Sequence, residues 1–264
     1  MGTAAVIGRY RSLSSVLARV AFTVITTFTF TATTNMPQPG LAVAFARPKK
    51  GTDHPLSKLH QWYEEVHIPD ILATSGINDA YRYENVDPNS EWPLLALYPV
   101  ADIDFFSTQE FNSIPPLGKH VFPGPITDHV EFQVRQYRLT QVYEPRDIRV
   151  FEGAPIIGTA AVQPKAGGED DFDTWYRQQH LDMLSMIIPY RAATRYEQID
   201  PANKPRYLTI HEFDSTDIPG EQIRRSTTTE WAKRVLGSVQ SMEGYTWKLT
   251  RVYGPSTTFK GLKL

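Results

Sequence analysis

The sequence contains no cysteine. That excludes a disulfide framework, thiolate catalysis and thiolate-ligated zinc. Net charge is also nearly absent, −2 over 264 residues, and no long basic run occurs, so nothing favours a nucleic-acid partner. No glycine-rich phosphate loop or dinucleotide fingerprint follows a strand pattern, and no nucleophile elbow appears. The histidines lack the short-range clustering of a metal site, so no metal is expected. Acidic residues are missing from the beginning of the chain; the first is Asp53. Residues 1–37 instead carry Arg9, Arg11 and Arg19, and Val20 to Thr34 is apolar, threonine-rich and uncharged. This reads either as a secretory or mitochondrial-type targeting segment or as an unstructured extension upstream of a start at Met36. A start at Met36 implies a cytoplasmic protein; a targeting segment implies a secreted or organellar one. The run is too short and too rich in threonine for a stable membrane span.

The remaining sequence repeats itself. His60-Gln61-Trp62-Tyr63-Glu64-Glu65-Val66-His67 returns as Asp173-Thr174-Trp175-Tyr176-Arg177-Gln178-Gln179-His180. Tyr81-Arg82-Tyr83-Glu84 returns as Thr194-Arg195-Tyr196-Glu197 at the same offset of 113. Tyr137-Arg138-Leu139-Thr140 to Pro145 matches Trp247-Lys248-Leu249-Thr250 to Pro255. A tandem pair of units of roughly 110 residues follows, a common size for a folding unit, with boundaries at 38–150 and 151–264. Each unit reads as strand, helix, strand, strand, helix, strand. In the first, the strands are Gly40–Ala46, Asp79–Val86, Trp92–Val100 and His129–Tyr143. A helix runs from Asp53 to about Thr74, with Gly76 as its stop, and a short second helix begins at Asp102. In the second, the strands are Ile156–Val162, Tyr190–Ile199, Arg206–Phe213 and Tyr245–Tyr253. The helices fall at Asp170–Ile188 and within Ile218–Val239. The fold class is therefore α+β. Such a βαββαβ unit makes a ferredoxin-like antiparallel sheet with both helices on one face. Its bare apolar face needs covering, and two units packed sheet to sheet cover each other.

At 3.6 residues per turn, Lys58, Gln61, Glu64 and Glu65 face water, while Leu59, Trp62, Tyr63, Val66 and Asp70 face inward. His60 and His67 lie at the edge of that inward arc. In the second helix Phe172, Trp175, Tyr176, Gln179 and Met183 face inward, with His180 at the edge. Tyr98 and His211 occupy equivalent positions on the third strands and complete a pocket if that side faces the helix. Two readings stay open. Tyr and His satisfy each other in the core, since an unpaired buried polar group costs about 1–3 kcal/mol, or they line a ligand pocket. Arg82-Glu84 and Arg195-Glu197 read as solvated cross-strand pairs. His54, His120 and His129 are single and unmatched, and His120 sits in a proline-rich segment, Pro115 to Pro125, that reads as a stiff loop or a lid.

The duplicated unit, with Trp-Tyr and then a histidine four residues beyond the tyrosine on its first helix, resembles the dimeric α+β barrel superfamily, most closely its EthD-like members. The resemblance covers about residues 38–255 and implies a fused pair that forms the barrel within one chain. It also implies small-molecule chemistry in aromatic or polyketide metabolism, mostly without metal or organic cofactor, although some members bind haem. The helix histidine of that group maps onto His67 and His180. The expectation is a cofactor-independent lyase or isomerase acting on a polyketide- or terpenoid-like metabolite. His67 or His180 is the general base and Tyr63 or Tyr176 the oxyanion donor. His60, Trp62, Asp70, Tyr98, Trp175 and His211 are the substrate-binding residues. Alternatives are a cofactor-free monooxygenase, a haem protein and a non-catalytic protein that binds a hydrophobic ligand. The partner is a small hydrophobic or aromatic molecule, and further association into a homodimer stays open. Ionisable groups are more numerous on the first helix, which favours the first unit as the active one.

Overall fold

The computed structural model describes residues 36–52, 54–145 and 153–255, so the expectations for residues 1–35 and for Asp53 as helix cap lie outside them. Eight strands form a closed barrel: β1 (Gly40–Pro48), β2 (Ala80–Asn85), β3 (Leu94–Val100), β4 (Val130–Tyr143), β5 (Ile156–Pro164), β6 (Tyr190–Gln198), β7 (Tyr207–Phe213) and β8 (Val239–Tyr253). Around the barrel the order is β4-β1-β3-β2-β8-β5-β7-β6, and every neighbouring pair is antiparallel. Two four-stranded sheets thus join at both edges, β2 to β8 and β6 to β4, rather than only facing each other. The long β4 and β8, 14 and 15 residues, reach across both joins. Closure leaves no unpaired sheet edge.

Alternation along the strands sorts the core. In β1, Leu41, Val43 and Phe45 point into the barrel among Tyr83, Tyr137, Tyr196 and Trp247, and Ala42, Ala44 and Ala46 point out toward the first helical layer. The alanines let that helix lie close to the sheet. Gly40 is needed where it stands, because a Cβ there would collide with Ile103 and the carbonyl of Tyr137.

The first helical layer comprises α1 (Leu56–Trp62), a π-helical turn (Tyr63–His67) and α2 (Ile68–Leu72) in unbroken succession. Two short elements follow β3, a 3-10 turn (Ile103–Ser107) and α3 (Gln109–Asn112), then a 3-10 turn at Ile126–Asp128. The second layer comprises α4 (Glu169–Trp175), a π-helical turn (Tyr176–His180) and α5 (Leu181–Ser185), with α6 (Gly220–Thr227) and α7 (Glu230–Gly237) beyond β7. Sequence periodicity merged α6 and α7 into one helix and assigned the start of β8 to it. Thr229 separates them, accepting the Ala232 N–H through its hydroxyl as the cap of α7.

The π turns also correct the helical register. Each places an extra residue in one turn, so the chain beyond it is rotated relative to a 3.6-residue wheel. Ile68 and Ile71 are buried in place of Asp70, and Leu181 and Leu184 in place of Met183. Asp70 instead holds Lys119 through both oxygens at 2.7 Å. Among the described residues no helix is long and apolar enough to cross a membrane.

Candidate functional site

The two π turns begin at the tyrosine and end at the histidine of the repeated motif, Tyr63 to His67 and Tyr176 to His180. Their defining bonds run from the N–H of Ile68 to the carbonyl of Tyr63 and from Leu181 to Tyr176. Within each turn the imidazole stacks on the preceding tryptophan, His67 on Trp62 at 4.6 Å and His180 on Trp175 at 4.2 Å between ring centres. The tyrosine ring meets the same imidazole edge-on, at 5.6 Å in the first half and 4.9 Å in the second. The third-strand partners lie opposite: Tyr98 is 6.0 Å from His67 and His211 is 6.1 Å from His180. The structure therefore brings Trp, Tyr, His and the third-strand residue of each half together.

Two further residues complete both clusters. Arg82 and Arg195 are buried, with guanidinium groups stacked over Tyr63 at 4.2 Å and Tyr176 at 4.4 Å. This corrects the expectation of solvated Arg–Glu pairs. Arg82 donates to His60 Nδ1 at 2.8 Å, and His60 Nε2 meets Glu84 at 3.0 Å. Arg195 donates to Asp173 and Gln141, each at 2.8 Å, while Glu197 is taken by Arg138 at 2.6 Å and Arg206 at 2.7 Å. A β-bulge lies opposite each arginine, where Thr250 and Thr140 drop out of register and donate their hydroxyls to the Arg82 and Arg195 carbonyls at 3.0 Å. Recurrence of the arginine at the constant offset, between residues that alternate inward, was the available signal.

A cavity of about 510 Å³ lies on the helix-facing side of the second half. Its floor is β5 and β7, its walls are Phe172, Trp175, Tyr176, His180 and His211, and α6 and α7 cover it through Ile223, Ser226 and Leu236. Gly158 and Ala160 keep the floor low. Met242, Thr246 and Val86, all on exposed stretches, mark its mouth. Among the described residues no arginine, lysine, aspartate or glutamate lines it. This size and lining suit a flat apolar molecule. The first half differs at the corresponding wall, where the segment after α3 packs in through Val121, Phe122 and Ile126, and Trp62 Nε1 donates to the Leu117 carbonyl at 2.9 Å. The ionisable groups that favoured the first half are tied to neighbours there: His60 to Arg82 and Glu84, and Asp70 to Lys119.

Burial sets the protonation of the second site. Loss of water lowers His180 to about 4 and His211 to about 3, with Arg195 and, for His211, the neighbouring His180 acting in the same direction. Both rings are neutral at pH 7. His180 Nδ1 faces the Ser226 carbonyl at 3.4 Å, which accepts only, so Nδ1 carries the proton and Nε2 a free lone pair. Tyr190 places its buried hydroxyl 3.3 Å from His211 Nδ1. A buried O–H needs an acceptor, so Nδ1 receives it and Nε2 carries the N–H. The pair thus offers one acceptor and one donor, in a hollow without formal charge. Tyr176 is raised by burial, with a Thr209 hydrogen bond and Arg195 opposing. In the first half burial likewise lowers His67 to about 4 and raises Tyr63 to about 12.

The remaining histidines are not free. His54 Nε2 lies 3.0 Å from His129 Nδ1, so these two, unmatched in the sequence, find each other, and His120 pairs with Glu65 at 2.7 Å. Among the described residues no group of three or more potential metal ligands occurs.

No protein-family model matches this chain. A curated relative, core atranone cluster protein 1 of Stachybotrys chlorohalonatus (strain IBT 40285), is 26% identical over 197 residues, 67% of this chain and 82% of that protein. Among solved structures, a chlorite dismutase variant from Candidatus Nitrospira defluvii superposes with a TM-score of 0.57 at 10% identity, covering 82% of this chain and 93% of that one. An anthrone oxidase-like protein superposes with a TM-score of 0.55 at 13% identity, covering 82% and 93%. At such identities the likeness establishes the fold alone: the chain is a mixed α+β protein whose eight strands close into one barrel, a fold it shares with these structures.

Proposed function

We propose that this chain is a cofactor-independent enzyme of secondary metabolism, a lyase or isomerase, acting on a polyketide- or terpenoid-like molecule in the second-half cavity. The observation that carries the reading is the neutral His180–His211 pair, acceptor beside donor, in an apolar hollow of substrate size. His180 Nε2 takes a proton from carbon, and the C–H electron pair moves toward a conjugated oxygen. His211 Nε2–H and the Tyr176 hydroxyl donate to that oxygen as charge develops. Isomerisation follows when the proton returns at another carbon; elimination or decarboxylation follows when a leaving group or carbon dioxide departs. A base lowered to about 4 is weak in the empty cavity. The enolate formed beside it favours the imidazolium strongly in a medium that screens little, so basicity rises as the reaction needs it.

The curated relative's place in the atranone cluster supports a role in secondary metabolism. The repeated motif supports reading the halves as fused ferredoxin-like, EthD-like units. Haem fits the cavity poorly, because among the described residues no arginine or lysine lines it to meet the propionates. The deciding experiment is metabolite profiling of the native host with the gene deleted and then restored. An accumulated precursor with a lost product of equal mass, or lighter by water or carbon dioxide, supports the reading. A gain of oxygen assigns a monooxygenase, and unchanged profiles under expression assign a binding protein. Turnover that survives both His67→Ala and His180→Ala overturns the mechanism.

A further inference from the structure

Trp62 and Trp175 stand at equivalent places, each buried and each stacked on its histidine. Their indole N–H groups have different fates. That of Trp62 donates to the Leu117 carbonyl at 2.9 Å, supplied by the proline-rich segment. That of Trp175 is closed to solvent and has no hydrogen-bond partner. An unpaired buried donor costs about 1–3 kcal/mol, and such groups are rare enough in folded proteins to need a reason. The Trp175 indole forms part of the cavity wall, beside His180.

We infer that Trp175 is a specificity residue: its Nε1–H donates to a carbonyl oxygen of the ligand, as that of Trp62 donates to the chain's own Leu117 carbonyl. The ligand is then a flat ketone, quinone, lactone or related carbonyl compound, not a hydrocarbon or a simple alcohol. The ligand draws the N–H, closed to solvent in the ligand-free protein, toward the cavity. Trp175 stacks on His180 at 4.2 Å between ring centres, so the anchored oxygen lies on the His180 side of the cavity. A proton on the carbon beside that carbonyl is the acidic one, so the anchor also selects which C–H the imidazole meets. This inference rests on the cavity being a small-molecule site, and it adds the functional group that the molecule must carry.

The test uses two probes of one shape, acetonaphthone and ethylnaphthalene, titrated calorimetrically into the full-length protein. The ketone is expected to bind roughly three- to tenfold more tightly, the worth of one neutral hydrogen bond. Trp175→Phe should erase that preference, both probes then binding with equal affinity, whereas Trp62→Phe should keep the preference. The infrared carbonyl band of bound, isotopically labelled acetonaphthone should lie at lower frequency in the parent protein than in Trp175→Phe, and lower than for the ketone in a hydrocarbon solvent. If the variant does not fold, the parent spectrum still decides, because a bound band at the hydrocarbon-solvent frequency overturns the inference. A ketone preference that survives Trp175→Phe, or equal binding of both probes by the parent, overturns the Trp175 assignment while leaving the cavity as a binding site. Failure of either probe to bind overturns the cavity reading itself, and the inference with it.

Discussion

The two halves of the barrel present the same three rings, Trp, Tyr and His, in nearly the same geometry, yet differ in what lies above them. Trp, Tyr and His of the π turn superimpose in role, and a buried arginine covers the tyrosine in each. Over the first cluster the chain lays its own loop, with the Leu117 carbonyl on Trp62 and Phe122 packed below. Over the second it lays two amphipathic helices that arch across a cavity. The same rings thus meet a loop of the chain in one half and a cavity in the other.

The largest effect that can break this comparison is catalytic. His180→Ala should lower product formation in the restored deletion strain by roughly 10²–10⁴-fold, the usual worth of a positioned base. His67→Ala, made on the same ring stack in the first half, should leave it within a few-fold. Equal losses would assign the chemistry to both halves, and a loss confined to His67→Ala would assign it to the first.

Acid stability sharpens the difference next. His180 and His211 are held neutral in the folded protein, at about 4 and about 3, whereas an unfolded histidine titrates near 6.5. As pH falls through 6.5 the unfolded chain takes up protons that the native state refuses. Stability is therefore complete above that pH, declines down to about 4, and stops declining through His180 below it. Each of these two histidines contributes roughly 3 kcal/mol to the decline. His211→Tyr, which installs the residue that the first half carries as Tyr98, should visibly flatten denaturation free energy between pH 6.5 and 4. An unchanged slope would mean that His211 is protonated in the native protein.

The strands and the clusters were legible in the sequence's own periods, and the barrel in the family resemblance, but not the covers. Strand alternation at Leu41, Val43 and Phe45, and the 113-residue offset that matched Trp62 with Trp175 and Tyr98 with His211, come from periods that every residue reports. The π turns are invisible to such counting. They alter the hydrogen bonding of a single turn without a compositional mark, and the misplacing of Asp70 and Met183 follows from them. Arg82 and Arg195 were misread because a charged strand residue next to a glutamate ordinarily faces water. At each arginine the pairing strand bulges, and a threonine far away in sequence, Thr250 or Thr140, donates its hydroxyl to the arginine carbonyl. The cavity depends on the divergence between the 113–129 segment and α6–α7, the region where the offset no longer holds.

Arginine partners give a third test. Asp173 and His60 occupy equivalent positions, and each receives a 2.8 Å bond from its arginine. Burial opposes the charge on Asp173, but Arg177 and Arg195 outweigh it and hold the carboxyl below its usual range. His60 is lowered by burial and by Arg82, so it accepts as a neutral ring. Asp173→Ala leaves a buried cation without its carboxylate and should cost about 2 kcal/mol, less than a fully enclosed pair because the carboxylate reaches water. His60→Ala removes a neutral acceptor and should cost about 1 kcal/mol. Asp173→His should recover part of the loss, read from urea midpoints at constant slope. Equal costs for the two alanine variants would show that the halves use these positions alike.

The smallest effect probes the covers directly. Trp62→Phe and Trp175→Phe remove the same atoms from equivalent stacks, so their shared loss of packing cancels in the difference. What remains is the fate of one N–H. Trp62 gives up its 2.9 Å bond to Leu117, a residue 45% exposed whose carbonyl can turn to water, so the excess cost should be only about 1 kcal/mol. Trp175 gives up no bond, and loses an unsatisfied donor. Trp62→Phe should therefore be the more destabilising of the two, and it alone should hasten proteolysis between Pro115 and Pro125, where the loop has lost its anchor to the helix. If Trp175→Phe proves the costlier change, its N–H has a partner in the ligand-free protein, and the contrast between a plugged cluster and an open one fails at its most specific point.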